Sequence, residues 1–366
     1  MPFFGVISSQ KTIYETNIVT LENTALKPKK LSNAVTIRDV AQLAQVSPAT
    51  VSKVLNNAPH VSEATRQRVY NAVRKLDFRP NVIARSLKIN QTATLGLITD
   101  DLEGVFTMSM MRGIEEVASA QGFSVFLCNS YGDSAREKAH LETLVAKQVD
   151  GVILLSGYRV RERGAPALDI GHMPVVYLYQ YTKDINAPCI VPDDEGGGLL
   201  GTRHLLDAGR KRIAFINGPP HYEATHLRLR GYRHALETHG LTFDPALIRA
   251  GKWHASSGYQ MTHELMTLPQ PPDAIFCASD SLAAGALDAL HELGLNVPDD
   301  VAVVGFDNRY FSAHQRPPLT TVALPLYEMG ALAGEILLKA IQHDRQEAEF
   351  HRVPCKLVKR QSCGAG

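Results

Sequence analysis

The chain has few cysteines, a single tryptophan, almost no net charge and no long apolar segment. Its five cysteines are odd in number and widely spaced, which argues against a disulfide framework and against a paired-thiol metal or redox site. We expect them to be small core or surface residues. They are Cys128, Cys189, Cys277, Cys355 and Cys363.

No apolar run approaches the length of a membrane span. The first residues lack the basic lead and the long apolar core of a secretory signal, and Lys11 and Glu15 soon interrupt them. These absences predict a cytoplasmic protein without a membrane partner.

The patterns of common enzymes are also missing. The 14 histidines are scattered, and none pairs with a serine or cysteine in a recognisable catalytic arrangement. Gly196-Gly197-Gly198 precedes a predicted helix, but neither a suitably spaced lysine nor a GxGxxG pattern accompanies it. We therefore expect no nucleotide hydrolysis, no dehydrogenase activity, no cofactor and no metal. The only acid pair that an enzyme could use is Asp101 with Asp307, and hydrogen bonding explains both more simply.

The segment from Val35 to Leu55 reads as two short helices joined by a tight turn. Thr36 can cap the first helix, Gln45 and Val46 form the turn, and Ser47 caps the second helix. Two amphipathic helices with a short turn also occur in any helical domain, so the motif alone leaves that alternative open. The outer face of the second helix carries small side chains and one lysine. Small side chains suit entry of the helix into the major groove of DNA. That face consists of Pro48, Ala49, Thr50, Ser52 and Lys53.

The surroundings of this motif favour DNA binding. Ser62 can cap a third helix, whose Val69, Val73 and Leu76 would close a three-helix core. Between Val35 and Thr92 there are nine Lys and Arg against three Asp and Glu, 9 − 3 = +6, while the whole chain carries only +1. A basic head on a faintly acidic body is typical of a module that binds phosphates.

These residues resemble the lac repressor/purine repressor family of bacterial transcription regulators, from about Val35 to the C-terminus. VSPATVS at 46–52 is similar to the recognition-helix signature of the family, and RPNVIARSLK at 79–88 is similar to its hinge helix. The resemblance implies that Leu87 wedges into the minor groove at a central pyrimidine-purine step. A flexible linker is the alternative for this segment. The predicted DNA-binding residues are Thr36, Ser47, Pro48, Ala49, Thr50, Ser52, Lys53, Asn56, Ala84, Arg85, Leu87 and Lys88.

Two positions depart from the family pattern. Gln45 stands in the turn where the family usually has glycine, so it must adopt a left-handed conformation at some cost. Lys53 stands where the family usually has arginine, which removes the bidentate fork that reads guanine. DNA binding is retained under this interpretation, but the sequence preference changes.

From Thr94 onward, short apolar runs alternate with helical stretches, and the alternation restarts after Val191, where helices are predicted at 196–208, 227–239 and 281–293. This pattern indicates parallel sheets covered on both faces, in two similar lobes separated by a cleft. With the resemblance, it predicts an N-terminal all-α helix-turn-helix head and an α/β two-lobed, periplasmic-binding-protein-like (type I) core. The predicted boundaries are 1–34 for an extension, 35–80 for the head, 81–93 for the hinge helix and linker, and 94–366 for the core. Lobe 1 would cover about 94–192 and 322–350, and lobe 2 about 193–320 and 353–366.

Residues that follow the core strands predict a ligand site, because ligands of open α/β sheets bind at the carboxyl ends of strands. Carboxylates and an arginine can hydrogen-bond vicinal hydroxyls, and aromatic faces can stack on a sugar. The resemblance places the same residues, except Asp101, at effector-contacting positions. The predicted set is Asp101, Phe106, Asp193, Arg228, Trp253 and Asp307.

Alternatives stay open for this set. Trp253 could be a packing residue, Asp280 an N-cap, and Asp194 a residue that caps and charges its helix. Tyr177, Tyr179 and Tyr181 alternate and could line the cleft or form an interface edge. The usual AsnProPhe of the family reads Gly104-Val105-Phe106 here, which alters the mouth of the pocket.

Together these features predict a homodimeric repressor that binds a palindromic operator in double-stranded DNA and responds to a small effector, a sugar or sugar derivative. The alternative is a periplasmic-type sugar-binding protein, which would need a signal peptide and has no use for a basic head. Residues 1–34 are interpreted as a disordered extension that adds nonspecific DNA affinity, or as the product of a start codon placed too far upstream.

Overall fold

The computed structural model describes residues 35–56, 58–78, 91–156, 160–161, 173–182, 187–343 and 347–364. The chain forms two compact units, residues 1–85 and 86–366. The predicted extension at 1–34 and the predicted hinge residues Ala84, Arg85, Leu87 and Lys88 lie outside the described residues.

The described part of the first unit contains three helices, α1 (Ile37–Ala44), α2 (Pro48–Leu55) and α3 (Glu63–Lys75). Ser47 and Ser62 cap α2 and α3 as predicted, because each hydroxyl accepts a hydrogen bond from a backbone N–H three residues later. Thr36 precedes α1, and its backbone N–H and hydroxyl both donate to the Asp39 carboxylate at 2.7 Å. These bonds hold the pKa of Asp39 below its usual value.

The three helices enclose a small apolar core. Its fully buried members include Val40, Val51, Val54 and Val69, one or two from each helix. Gln45 joins α1 to α2 at φ 52° and ψ 48°, the left-handed conformation that the sequence predicts there. The head is therefore a helix-turn-helix with a third helix packed across it.

The second unit begins with a six-stranded parallel sheet in the order β13-β7-β5-β3-β1-β2. Helices α4 (Thr107–Ala120) and α10 (Leu326–His343) cover one face, and α5 (Ser134–Ala146) covers the other. The strands are β1 (Thr94–Thr99), β2 (Ser124–Asn129), β3 (Gly151–Leu155), β5 (Val175–Leu178), β7 (Cys189–Pro192) and β13 (Phe350–Val353). The short strands β4 (Val160–Arg161) and β6 (Tyr181–Thr182) pair with each other.

A second six-stranded sheet has the order β14-β12-β11-β10-β8-β9, and only its pairing of β12 with β14 is antiparallel. Helices α6 (Asp194–Asp207) and α7 (Glu223–Thr238) pack on one face. Helices α8 (Ala255–Met266) and α9 (Asp280–Glu292) pack on the other. The strands are β8 (Ile213–Asn217), β9 (Ile248–Ala250), β10 (Ala274–Cys277), β11 (Ala302–Asp307), β12 (Thr320–Ala323) and β14 (Lys356–Val358).

Each sheet with its helices forms one lobe, and the described chain crosses between the lobes three times. It crosses from β7 to α6, from β12 to α10, and from β13 to β14. Whole strands belong to one sheet, so β12 stays in lobe 2 and β13 in lobe 1. The crossings after β12 and after β13 lie a few residues beyond the predicted lobe limits at 320–322 and 350–353. The sequence misplaces these limits because the apolar pattern of a strand does not show which sheet the strand joins.

Close helix packing fixes α6 against α7. A Cβ on Gly198 of α6 would clash with the backbone carbonyl of Arg228 on α7. A Cβ on Gly197 would clash with the Phe306 ring, and one on Gly196 with the Asp193 carboxylate. The three consecutive glycines are therefore a packing surface.

Cys189, Cys277 and Cys363 are buried. Among the described helices, none combines the length and apolar character that crossing a bilayer requires.

Candidate nucleic-acid interface and ligand cavity

Helix α2 presents the residues that the sequence assigns to DNA contact. Ser47, Pro48, Ala49, Lys53 and Asn56 are exposed. Thr36, also exposed, stands at the start of α1, and Thr50 and Ser52 are half-buried beside the core. The opposite face of the helix is anchored by Val51 and Val54, which are fully buried.

Local hydrogen bonds order this surface. The hydroxyls of Ser47 and Thr50 lie 2.9 Å apart, and the Asn56 side-chain amide donates to the Ser52 carbonyl at 2.9 Å. The Lys53 ammonium makes no hydrogen bond or ion pair with any described residue, so it is available to a phosphate or a base edge. A short helix with a small, polar and partly basic outer face matches the steric needs of the major groove.

A cavity of about 280 Å³ lies between the two lobes of the second unit. Five of the six residues predicted for ligand contact line it, and they come from both lobes. Asp101 and Phe106 belong to lobe 1, and Arg228, Trp253 and Asp307 belong to lobe 2.

Asp193 does not line this cavity. Its carboxylate accepts the backbone N–H of Gly196 at 3.0 Å and caps α6. It also lines a smaller cavity of about 130 Å³ together with Glu195, Glu223 and Arg230. Capping of this helix was one alternative for Asp194 in the sequence analysis. In the structure the N-cap is the preceding residue, Asp193.

Arg228 is the electrostatic centre of the inter-lobe cavity, although it is only 3% exposed. Its Nε donates to Asp194 Oδ1 at 2.7 Å and its Nη1 donates to the Ala278 carbonyl at 2.5 Å. Its guanidinium carbon lies 3.7 Å from the centre of the Phe306 ring. Burial disfavours the charged guanidinium, but Asp194 and Asp307 outweigh that effect and raise the pKa of Arg228. Arg228 thus stays charged.

Two oxygens of this group, Asp194 Oδ2 and Asp307 Oδ1, are buried without a donor, and of these two acids Asp307 lines the cavity. Its Oδ1 lies 3.6 Å from Arg228 Nη1, too far for a hydrogen bond, and no described atom donates to it. Burial raises the pKa of Asp307 to about 8, while Arg228 opposes the shift. A buried carboxylate oxygen without a donor, at the wall of a cavity, is the position where a ligand hydroxyl gains most.

Aromatic rings form the apolar walls. Phe106 meets Tyr179 edge to face at 6.0 Å in lobe 1, and Trp253 meets Tyr222 at 6.1 Å in lobe 2. Trp253 also packs on Gly218, so its ring contributes both to the core of lobe 2 and to the wall of the cavity. Tyr177 belongs to the core on the other face of the sheet, whereas Tyr179 lines the cavity.

Several lining residues were not among the predicted ones, notably Tyr222, Arg309, Ser156 and Asp100. Arg309 lies two residues after β11 and Tyr222 lies in the loop that follows β8. Both satisfy the rule that residues after strands should be inspected. Their signal was therefore present in the sequence.

Asp280 is neither an N-cap nor a cavity residue. Ser279 caps α9, and the buried Asp280 accepts the Thr321 hydroxyl at 2.5 Å and the Arg309 backbone N–H at 2.6 Å. Burial raises the pKa of Asp280 to about 6 despite these bonds. No group of three or more His, Cys, Asp or Glu side chains within the described ranges is arranged to hold a metal ion.

Comparison with known proteins agrees with both units. The family model "Bacterial regulatory proteins, lacI family" matches residues 36–81, and "Periplasmic binding protein-like domain" matches residues 202–363. The HTH-type transcriptional repressor PurR of Aliivibrio salmonicida is 34% identical over 89% of this chain and 98% of its own length. The HTH-type transcriptional repressor CytR of Escherichia coli K12 is 35% identical over 93% of this chain and 99% of its own length.

Solved structures agree as well. A lac repressor dimer bound to operator and the anti-inducer ONPF superposes with a TM-score of 0.74, at 30% identity, and covers 90% of this chain and 99% of that one. The complex of the regulator CelR with cellobiose superposes with a TM-score of 0.63, at 32% identity and with the same coverage. The match to the head excludes a periplasmic binding protein, and the full-length relatives are repressors and not enzymes. The chain therefore belongs to the lacI family of bacterial regulatory proteins and is a DNA-binding repressor with a ligand-binding core.

Proposed function

We propose that the inter-lobe cavity binds a sugar or sugar derivative that acts as an inducer and releases the repressor from its operator. The observation that carries the proposal is Asp307 Oδ1, a buried acceptor without a donor beside a charged arginine. A hydroxyl that donates to this oxygen would remove the cost of leaving it unsatisfied. Trp253 and Phe106 offer apolar faces for the ring.

The two-lobed lining supports a mechanism by population shift. A ligand that contacts Phe106 in lobe 1 and Trp253 in lobe 2 favours one relative orientation of the lobes. Reorientation would change the spacing of two paired hinge segments, and the hinge helices would then melt. Leu87, in the predicted hinge, would no longer wedge between base pairs.

We also propose that the protein is a homodimer acting on a palindromic operator in the cytoplasm, where its DNA target lies. The related lac repressor binds its operator as a dimer. In this chain the first sheet ends in the edge strand β2, which exposes Phe126 and Leu127, at 46% and 39%. Met108 on α4 and Tyr131, which lies two residues after β2, are also exposed apolar side chains of that lobe. We call these four residues the β2 surface, and a second copy would bury it.

The proposed DNA contacts come from the exposed face of α2, with Lys53 as its cation, and from the hinge. Lys53 reaches a guanine or a phosphate as a point charge. Small residues from Ser47 to Thr50 allow the helix backbone to approach the base edges.

The test is in-vitro selection of duplexes from a random library by the purified protein, repeated with a panel of sugars. We expect a palindrome with a central pyrimidine-purine step, and a sugar that lowers operator affinity at least 10-fold, equivalent to about 1.4 kcal/mol. Asp307→Asn should abolish the response to sugar without changing operator affinity. Leu87→Ala should do the reverse, weakening operator binding while leaving sugar affinity intact.

Calorimetry in which only a purine or nucleotide binds would refute the sugar effector. Enrichment of no sequence, with sugar binding intact, would refute the proposed operator. A sugar that strengthens operator binding would make the effector a corepressor in place of an inducer.

A further inference from the structure

Arg309 stands at the cavity wall on a turn with unusual backbone geometry. The two preceding residues, Asp307 and Asn308, have φ angles of 107° and 55°, in the left-handed region that side chains other than glycine rarely adopt. Strain of this kind persists only where neighbouring bonds hold it. Here Thr321 accepts the backbone N–H of Asn308 at 3.3 Å, and Asp280 accepts that of Arg309 at 2.6 Å. The turn therefore fixes the direction from which Arg309 enters the cavity.

The guanidinium of Arg309 is half-buried and forms no ion pair with a described residue, although its charge acts on Asp280 and Asp307 from a greater distance. Its Nη1 donates to the Ser281 hydroxyl at 3.1 Å, and its carbon lies 5.1 Å from the centre of the Phe311 ring. No carboxylate among the described residues lies within 4.0 Å of it. Arg228, by contrast, is paired with Asp194 at 2.7 Å. A held, partly desolvated guanidinium with open donors is a site for a planar anion.

The rest of the lining limits the charge of that anion. Asp100 and Asp101 also line the cavity, so a group with two negative charges would meet repulsion that a single open guanidinium does not offset. A carboxylate carries one charge and matches the guanidinium fork bidentately. The volume of about 280 Å³ lies at the lower end of the range for small-molecule sites, which suits a single sugar unit.

From this geometry we infer that the effector is a sugar acid of monosaccharide size, with its carboxylate on Arg309 and its hydroxyls toward Asp307 and Asp101. The inference rests on the sugar effector proposed above and narrows its class. Arg309 is then the residue that separates acidic from neutral sugars, and the rings of Trp253 and Phe106 accept either.

The experiment is calorimetry on the full-length protein with matched pairs of ligands. The pairs are D-glucuronate with D-glucose and D-galacturonate with D-galactose, and glucose 6-phosphate provides the phosphate comparison. In at least one pair the acid should bind about 10- to 100-fold more tightly than the neutral sugar, the range expected for hydrogen bonds between charged groups. In Arg309→Gln the preference should fall to near unity.

Two further variants make the result specific. Arg203→Gln removes the same charge from the exposed surface of α6 in the same lobe, and it should leave the preference unchanged. Arg309→Lys keeps the charge but loses the fork, so it should give an intermediate preference. This variant also carries the test if Arg309→Gln fails to fold.

Equal affinity for acid and neutral sugar, or a preference that survives in Arg309→Gln, would overturn the role of Arg309 and leave the sugar effector standing. Tightest binding of glucose 6-phosphate would overturn the carboxylate. Binding of no sugar and no sugar acid would overturn the sugar effector as well.

Discussion

Arg228 carries one positive charge in a buried region that contains two carboxylates, those of Asp194 and Asp307. Asp194 makes the short contact, so Asp307 is the acid that gains less from ionisation. Because burial raises its pKa, Asp307 keeps its proton when the pH is below about 8, and a second negative charge is not buried beside Arg228. One residue thus links ligand recognition to the stability of the core.

We predict that Asp307→Asn flattens the pH dependence of core stability. The pKa of Asp307 is raised to about 8 in the folded protein, so the folded state binds this proton more tightly than the unfolded state. The resulting stability is fully present below about pH 4 and is lost as the pH rises through about 8. The free energy of unfolding should be measured with urea at pH 5 and at pH 8. Between these two pH values, that free energy should fall by about 2 to 5 kcal/mol more in the wild type than in the variant.

The matched control is Asp288→Asn, which changes an exposed carboxylate on α9. It should lose as much stability between the two pH values as the wild type. A variant Asp307→Asn that loses as much stability as the wild type would contradict the assignment of the proton to Asp307.

Much of the lining of the inter-lobe cavity could be predicted from the sequence. Asp101 and Asp307 follow strands, and Phe106, Arg228 and Trp253 match positions of the family. Asp193 was predicted with them but caps α6, because an acid before a helix satisfies both descriptions equally well. Arg309 was not predicted although it follows β11, and the two left-handed residues that direct its approach to the cavity leave no apolar pattern in the sequence.

Helices α6 and α7 depend on contact between backbones. Gly198 of α6 lies against the carbonyl of Arg228, so the residue that places a guanidinium in the cavity is also the residue against which α6 rests. A displacement of α6 would carry Asp194 with it and lengthen the ion pair to Arg228.

We predict that Gly198→Ala destabilises the core by about 1 to 3 kcal/mol and weakens ligand binding, because a rigid carbonyl must move to admit the methyl group. Thermal unfolding and ligand titration measure the two effects. Gly334→Ala on α10 is the control, since its Cβ would meet the Val117 side chain at 3.2 Å, which can yield more easily than backbone. Equal effects of the two substitutions would contradict the backbone contact as the cause.

Most elements could be predicted from apolar periodicity, with ends displaced by only a few residues. The helix predicted at 196–208 is observed at Asp194–Asp207, and the one predicted at 281–293 is observed at Asp280–Glu292. Helix α8 was not predicted. Its buried positions include Gly258 and Thr262 beside Met261 and Leu265, so half of its inner face carries no apolar signal.

The proposed dimer depends on the β2 surface, which we expect the second copy to bury. We predict that Phe126→Asp converts the dimer to a monomer, because it places a charge in the centre of the apolar edge. Operator affinity should fall at least 100-fold, since a single head buries too little DNA, while ligand affinity should stay near that of the wild type. Sedimentation velocity gives the mass, and fluorescence anisotropy gives the affinity.

Leu293→Asp is the control for this prediction. Leu293 is 42% exposed at the end of α9 in the other lobe, so the substitution adds the same charge to an apolar surface position. It should leave the dimer intact. A dimeric Phe126→Asp would place the interface elsewhere.

The three crossings between the lobes impose an order on synthesis at the ribosome. Lobe 1 begins with β1, but α10 and β13, which complete it, are made only after β8 to β12 of lobe 2. Until α10 emerges, the apolar face that its Met329, Ala333 and Leu337 cover is open to water. The nascent chain therefore carries an incomplete lobe during the translation of nearly the whole of the other, and in this interval its uncovered apolar surface is prone to aggregation.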